Sequence, residues 1–184
     1  MKNNVLIVLM LFFLSSCRSQ GEEYLQKLNR CIDKTINLKV KDIYGIESFD
    51  YYKLMGKVEN IIFQDPTKES YQLLIQKIHN IPKNKVIEDG LDEMNKQGFF
   101  INDHIVDILN NCPYISLDKD DSKETSIKLR QKIIEQSYSG INKDGVDILV
   151  NYFNHTTDKE FKYLEFRSPI LIMILTNYLK LNPR

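Results

Sequence analysis

Residues 168–175 read Ser-Pro-Ile-Leu-Ile-Met-Ile-Leu, and from Pro169 onward the seven residues are all apolar. A helix apolar on every side has no face to offer water, so it belongs in the middle of a core. The run is far too short to cross a hydrocarbon layer, which takes about 20 residues. Ser168-Pro169 is expected to open this helix, since proline suits a first helical turn. Working outward, the rest of the chain has helical apolar spacing, with little of the strict alternation that marks strands. An all-α fold follows.

Upstream of that core segment the spacing predicts further helices. The first covers about residues 22–38, with Tyr24, Leu25, Leu28, Cys31, Ile32, Thr35 and Ile36 on one face. A second, about 49–63, turns Tyr52, Met55, Val58, Ile61 and Ile62 inward. Asp65-Pro66 reads as an N-cap and first residue of a third, which carries Tyr71, Leu74, Ile75 and Ile78 and ends at Pro82. A shorter helix, about 84–96, stops at Gly98; Asn102 caps the next, which Pro113 breaks. After the polar loop 116–124, helices are expected from Ser122 to Tyr138, over about 143–154, and from an Asp158 cap to Phe166.

About eight helices with short connections imply antiparallel neighbours in a bundle, or stacked helical pairs, in one domain over residues 22–184. Asp103–Asn110 (DHIVDILN) and Asp144–Asn151 (DGVDILVN) share a loose pattern 41 residues apart, a spacing compatible with helical pairs.

The composition is that of a globular protein: 42% apolar and 27% charged. Lysine plus arginine and aspartate plus glutamate number 25 each. Such a balance lacks the positive field that phosphate neutralisation demands, which argues against nucleic-acid binding. Alanine and tryptophan are absent while lysine, asparagine and isoleucine abound. That bias fits an AT-rich coding sequence, so asparagine-rich stretches are not read as functional.

The N-terminus has its own logic. Lys2 is followed by Val5–Leu14 (VLIVLMLFFL), ten unbroken apolar residues. That length suits the apolar part of a secretory signal. It ends in Leu14-Ser15-Ser16-Cys17, which resembles a lipobox, the site cut by lipoprotein signal peptidase. The resemblance to bacterial lipoproteins covers residues 1–17 only. It implies that residues 1–16 are removed, that the Cys17 thiol takes a diacylglycerol, and that residues 17–21 form a short tether. At about 0.8 kcal/mol per buried methylene, several acyl chains would make the anchor effectively permanent. Arg18, where aspartate would favour inner-membrane retention, implies the outer membrane if the cell is Gram-negative. The mature chain would then carry 24 basic against 25 acidic residues, having lost Lys2.

Candidate chemistry is sparse. Cys31 and Cys112 remain after Cys17, and in an oxidising compartment they read either as a disulfide or as two buried thiols. A bridge would close a loop of about 80 residues, worth roughly 4–5 kcal/mol in the chain-entropy picture. Neither has Cys-X-X-Cys spacing. Asp103, His104 and Asp107 place two carboxylates and an imidazole within one helical turn. They would act in acid–base or metal chemistry only if further ligands, such as Glu88 or His79, converged on them; a solvated face is the plainer reading. His155 is the third histidine, again near a helix end. Asp118, Asp120, Asp121 and Glu124 form an acidic loop without the glycine and glutamate positions of an EF-hand. Glu88, Asp89, Asp92 and Glu93 read as a solvated helix face.

No GxSxG elbow, HExxH or phosphate loop occurs in the sequence. In the aromatic pairs Tyr51-Tyr52 and Phe99-Phe100, adjacent side chains lie about 100° apart on a helix. One of each pair must leave the buried face, which makes Tyr51 and Phe100 candidate contact residues. No cofactor and no metal site is expected. The sequence leans towards a non-enzymatic, membrane-anchored module with a protein partner, an accessory subunit or an immunity-type inhibitor. The alternatives are an envelope hydrolase using Asp103, His104 and Asp107, or a small-molecule carrier with its cavity near residues 170–178.

Overall fold

The computed structural model describes residues 20–77, 81–99, 112, 150–151 and 153–183, with side chains from residue 25 onward. Among the described residues the secondary structure is helical, without strands.

The described residues open with one long rod. Helix α1 (Gln20–Ile32) runs into a π-helical turn, Asp33–Asn37, and then into α2 (Leu38–Tyr44). The buried residues explain the wide turn. Leu28, Ile32, Ile36 and Val40 are all buried, each four residues after the last. In an α-helix a four-residue step overshoots a full turn by about 40°, so a stripe of this spacing would wind off the core. The π turn, with its i→i+5 bonding, takes up that drift. The rod runs past the expected end near residue 38 because Val40 continues the stripe. It stops at Gly45, which adopts φ +67° and donates its N–H to the Lys41 carbonyl.

Asp50 caps α3 (Tyr51–Phe63) by accepting the Lys53 N–H at 2.9 Å. The buried side of α3 carries Tyr51, Leu54, Met55, Val58 and Glu59, while Tyr52, Ile61 and Ile62 are only partly covered. The stripe is therefore turned relative to the one the apolar spacing suggests. The reason is that α3 has neighbours on more than one side, and one of its inward residues is charged. Helix α4 (Lys68–Gln76) starts later than Asp65-Pro66. Thr67 and Ser70 form a reciprocal capping box, each side chain accepting the other's backbone N–H. Asn84 caps α5 (Lys85–Lys96) through the N–H groups of Val86 and Ile87. Gly98, at φ +70°, follows the end of α5.

Near the C-terminus, α6 (Asp158–Phe161) is capped by Thr157 and Glu160 in a second capping box, one residue before the expected Asp158. Helix α7 (Leu164–Leu181) opens a turn earlier than Ser168-Pro169, leaving Pro169 inside it. Proline has no N–H, so the Glu165 carbonyl lacks its i+4 donor. Ile170–Leu175 are all buried, as are Phe166 and Tyr178. Burial of each such apolar side chain stabilises the fold by roughly 1.5–3 kcal/mol.

Directions follow from the contacts. Lys57 meets Glu93, while Val58 and Ile62 lie against Gly90, so α3 and α5 run antiparallel. Gly56 faces Leu164, Glu59 meets Arg167, and Tyr178 reaches Asn84 and Glu88. Helix α7 therefore runs along α3 and against α5. No described helix is long and apolar enough to cross a membrane.

Candidate functional site

The residues singled out from the sequence fare differently. Cys17, Phe100, Asp103, His104 and Asp107 lie outside the described residues, as do His79 and the acidic loop 118–124. Tyr51, expected to leave the buried face of its helix, is turned inward instead. It is 1% exposed, at the first position of α3, with Phe99 and Tyr52 packed on its ring at centroid distances of 5.8 and 5.0 Å. Its neighbour Tyr52 is the partly exposed member of the pair. The rotated buried stripe of α3 accounts for the exchange. His155 is exposed, and its Nδ1 donates to the Asn151 carbonyl at 2.9 Å.

Cys31 and Cys112 are joined by a disulfide, with Cα atoms 5.5 Å apart. Cys31 is the next-to-last residue of α1 and is partly exposed; Cys112 is buried. The Thr35 hydroxyl, in the π turn, donates to the Cys31 carbonyl and lies 3.4 Å from Cys112 Sγ and 3.8 Å from Cys31 Sγ.

A second polar cluster was invisible to the sequence. Glu59 on α3 is almost fully buried. Its Oε1 accepts from Arg167 Nε at 2.6 Å and from the Tyr71 hydroxyl at 2.6 Å, and its Oε2 accepts from Arg167 Nη2 at 2.8 Å. Arg167 Nη1 donates to the Phe161 carbonyl at 2.6 Å, and its guanidinium stands 5.7 Å from the centre of the Phe161 ring. Phe63, Phe153 and Phe161 surround Tyr71 at centroid distances of 4.2–6.5 Å. Burial alone would lower the guanidinium pKa. The hydrogen bonds and charge of Glu59 outweigh it and raise the value above that of ordinary arginine. Both oxygens of the Glu59 carboxylate are taken up by donors. The cluster fastens α3, α4 and α7 together; it does not present a reacting group.

Neither a family model, nor a curated protein, nor a solved structure matches this chain.

The described surface does offer one open groove of about 360 Å³ between α3, α4 and the start of α5. Ile62, Phe63, Leu74 and Ile87 floor it, Leu73 and Val86 stand exposed on its rims, and Lys77 lies at its edge. The polar side chains within it are already occupied: Ser70 and Asn84 are bound to backbone groups as helix caps. The groove can therefore bury an apolar group but does little to orient a polar one. It does not involve residues 170–178, whose apolar members are closed into the core. Among the described residues, no three His, Cys, Asp or Glu side chains gather as a metal site would require.

The missed residues left faint signals. Glu59 falls one step from Val58 on the helical wheel, inside the stripe, but its charge argues for solvent. Arg167 lies two residues before the apolar run, with Ser168 between. Only the pairing of the two, more than a hundred residues apart, makes both burials tolerable.

Proposed function

We propose that this chain is a lipid-anchored envelope protein whose helical body binds another protein. The stretch Val5–Leu14 ending in Leu14-Ser15-Ser16-Cys17 carries the reading, because it meets each requirement of a lipoprotein signal in order. The finer architecture belongs to the same reading: one domain of about eight helices, arranged as an antiparallel bundle or as stacked pairs. The antiparallel α3 and α5 support it. On such a body the groove between α3, α4 and α5 is the described surface best suited to a partner's apolar side chains, with Leu73 and Val86 as contacts. A short tether, residues 17–21, would hold that surface close to the bilayer, where an accessory subunit or an inhibitor of an envelope protein acts.

The test has two parts. Mass spectrometry of the protein from its own cells should find an N-terminal peptide that begins at Cys17 and carries acyl chains. Cys17→Ser should move the chain from the membrane to the soluble fraction. An unmodified Cys17, or membrane retention of the serine variant, refutes the anchor. Crosslinking in intact cells that captures no protein with the wild-type chain refutes the binding role.

A further inference from the structure

We propose that the Cys31–Cys112 bond is a site of directional thiol–disulfide exchange, entered at Cys31 and leaving through Cys112. The inference stands apart from the anchoring and binding roles proposed above. Its basis is the unequal setting of the two sulfurs. Cys31 is partly exposed on the rod, whereas Cys112 is 1% exposed, so an incoming thiolate meets Cys31 first. The departing sulfur needs stabilisation, since exchange is faster when the leaving thiol is the more acidic. Thr35 supplies it. Its hydroxyl lies 3.4 Å from Cys112 Sγ and presently donates to the Cys31 carbonyl. A thiolate is a charged acceptor and draws that proton more strongly than a carbonyl does.

The reductant is a dithiol. Its first thiolate attacks Cys31 Sγ, the Sγ–Sγ bond breaks, and the electron pair leaves on Cys112 Sγ. Its second thiolate attacks the sulfur now joined to Cys31, releasing the Cys31 thiolate and the oxidised dithiol. The two protein thiolates take up the two protons the dithiol gave. In all, two electrons and two protons pass to the protein.

The rod is built to outlast the event. Leu28, Ile32, Ile36 and Val40 hold it to the core without help from the disulfide. The Asn37 side chain, at the far end of the π turn, accepts the Tyr51 N–H at 3.1 Å. Exchange therefore leaves the rod where it is.

The experiment uses the full-length oxidised protein in mild detergent. A brief pulse of glutathione, a monothiol, is followed by an alkylating quench and peptide mass spectrometry. The expected result is glutathione on Cys31 with the alkyl group on Cys112, and an unchanged helical circular dichroism signal. Thr35→Val should slow the pulse reaction about ten-fold, the loss of one charge-assisted bond. Thr35→Ser should restore it. Glutathione found equally on both cysteines, or preferentially on Cys112, overturns the proposal. So does a Thr35→Val rate equal to wild type, or exchange that occurs only as the helical signal is lost. That last outcome would make the bond a plain structural staple.

Discussion

Replacing Glu59 by glutamine tests the buried cluster most directly. The substitution keeps size and shape but removes the charge that balances Arg167. The Glu59 side chain is 2% exposed and that of Arg167 is 12%, so water can do little to compensate. The new amide oxygen could still accept from Arg167 Nε and Tyr71, but its NH₂ would face the Nη2 donor, turning one attraction into a clash of donors. Breaking one side of a buried ion pair costs about 3–5 kcal/mol. The lower end, about 3 kcal/mol, is expected because Arg167 lies near enough to the surface to swing outward. With a urea dependence of about 2 kcal/mol per molar, the unfolding midpoint should fall by about 1.5 M. The triple variant Glu59→Leu, Tyr71→Phe, Arg167→Met removes every partner at once. It should recover to within about 1.5 kcal/mol of wild type, since an ion pair replaced whole by apolar groups is often neutral. Urea denaturation followed by circular dichroism, with the disulfide intact, reads both. A Glu59→Gln loss under about 1 kcal/mol, or a triple variant weaker than the single, refutes the assignment of the cluster as a fastening.

Other consequences are narrower. Lys85 is bonded to Asp89 at 2.7 Å, and that hydrogen bond, then the carboxylate charge, raises the Lys85 pKa above the usual lysine value. The stability this lends is complete below the unfolded lysine pKa and fades as pH climbs through the folded one. Asp89→Asn should lower the Lys85 pKa in an NMR titration and show its stability deficit at neutral pH, not in strong alkali. Gly98→Ala should destabilise by about 1–3 kcal/mol in thermal or urea melts, because φ is +70° there and the added carbon would overlap Ile46 Cδ1. Leu73→Asp, on the exposed rim of the groove, should leave the melt within about 0.5 kcal/mol of wild type while sharply reducing partner recovery by crosslinking.

How much of this could be read beforehand depends on what kind of signal each feature leaves. The α5 helix was legible because Asn84 and Gly98 mark its ends with local chemistry. The start of α4 was displaced because Asp65-Pro66 is a plausible opening in isolation, and only the reciprocal bonds of Thr67 and Ser70 decide between them. The π turn was written in the four-residue spacing of Leu28, Ile32, Ile36 and Val40, which a search for the usual mixed rhythm of three and four passes over. Tyr51 was misplaced and Glu59 was passed over for one shared reason. The rotation of α3 is fixed by helices distant in sequence, α5 and α7, and apolar spacing alone cannot register a buried charge whose partner is Arg167. The Cys31–Cys112 pairing stood open beside two free thiols, since both alternatives place cysteine on an apolar face.

That distribution bears on how the core helix finds its orientation. Helix α7 is apolar on all sides over residues 170–175, so hydrophobic burial holds it in place but is nearly indifferent to rotation about its axis. Direction has to come from groups that bond at fixed angles. They sit at the two ends of the helix. Near its start, Arg167 grips Glu59 in a two-pronged pairing, and Glu165 accepts from Asn29 of α1 at 3.1 Å. Near its end, the Tyr178 hydroxyl accepts the Asn84 N–H and donates to Glu88, and Asn182 donates to the Ile81 carbonyl. Those bonds reach α1, α3, α5 and the turn before α5, so rotating α7 by one residue would break contacts to several elements at once. The cost of burying Glu59 and Arg167 is then understandable as the means by which a featureless apolar rod acquires a single register.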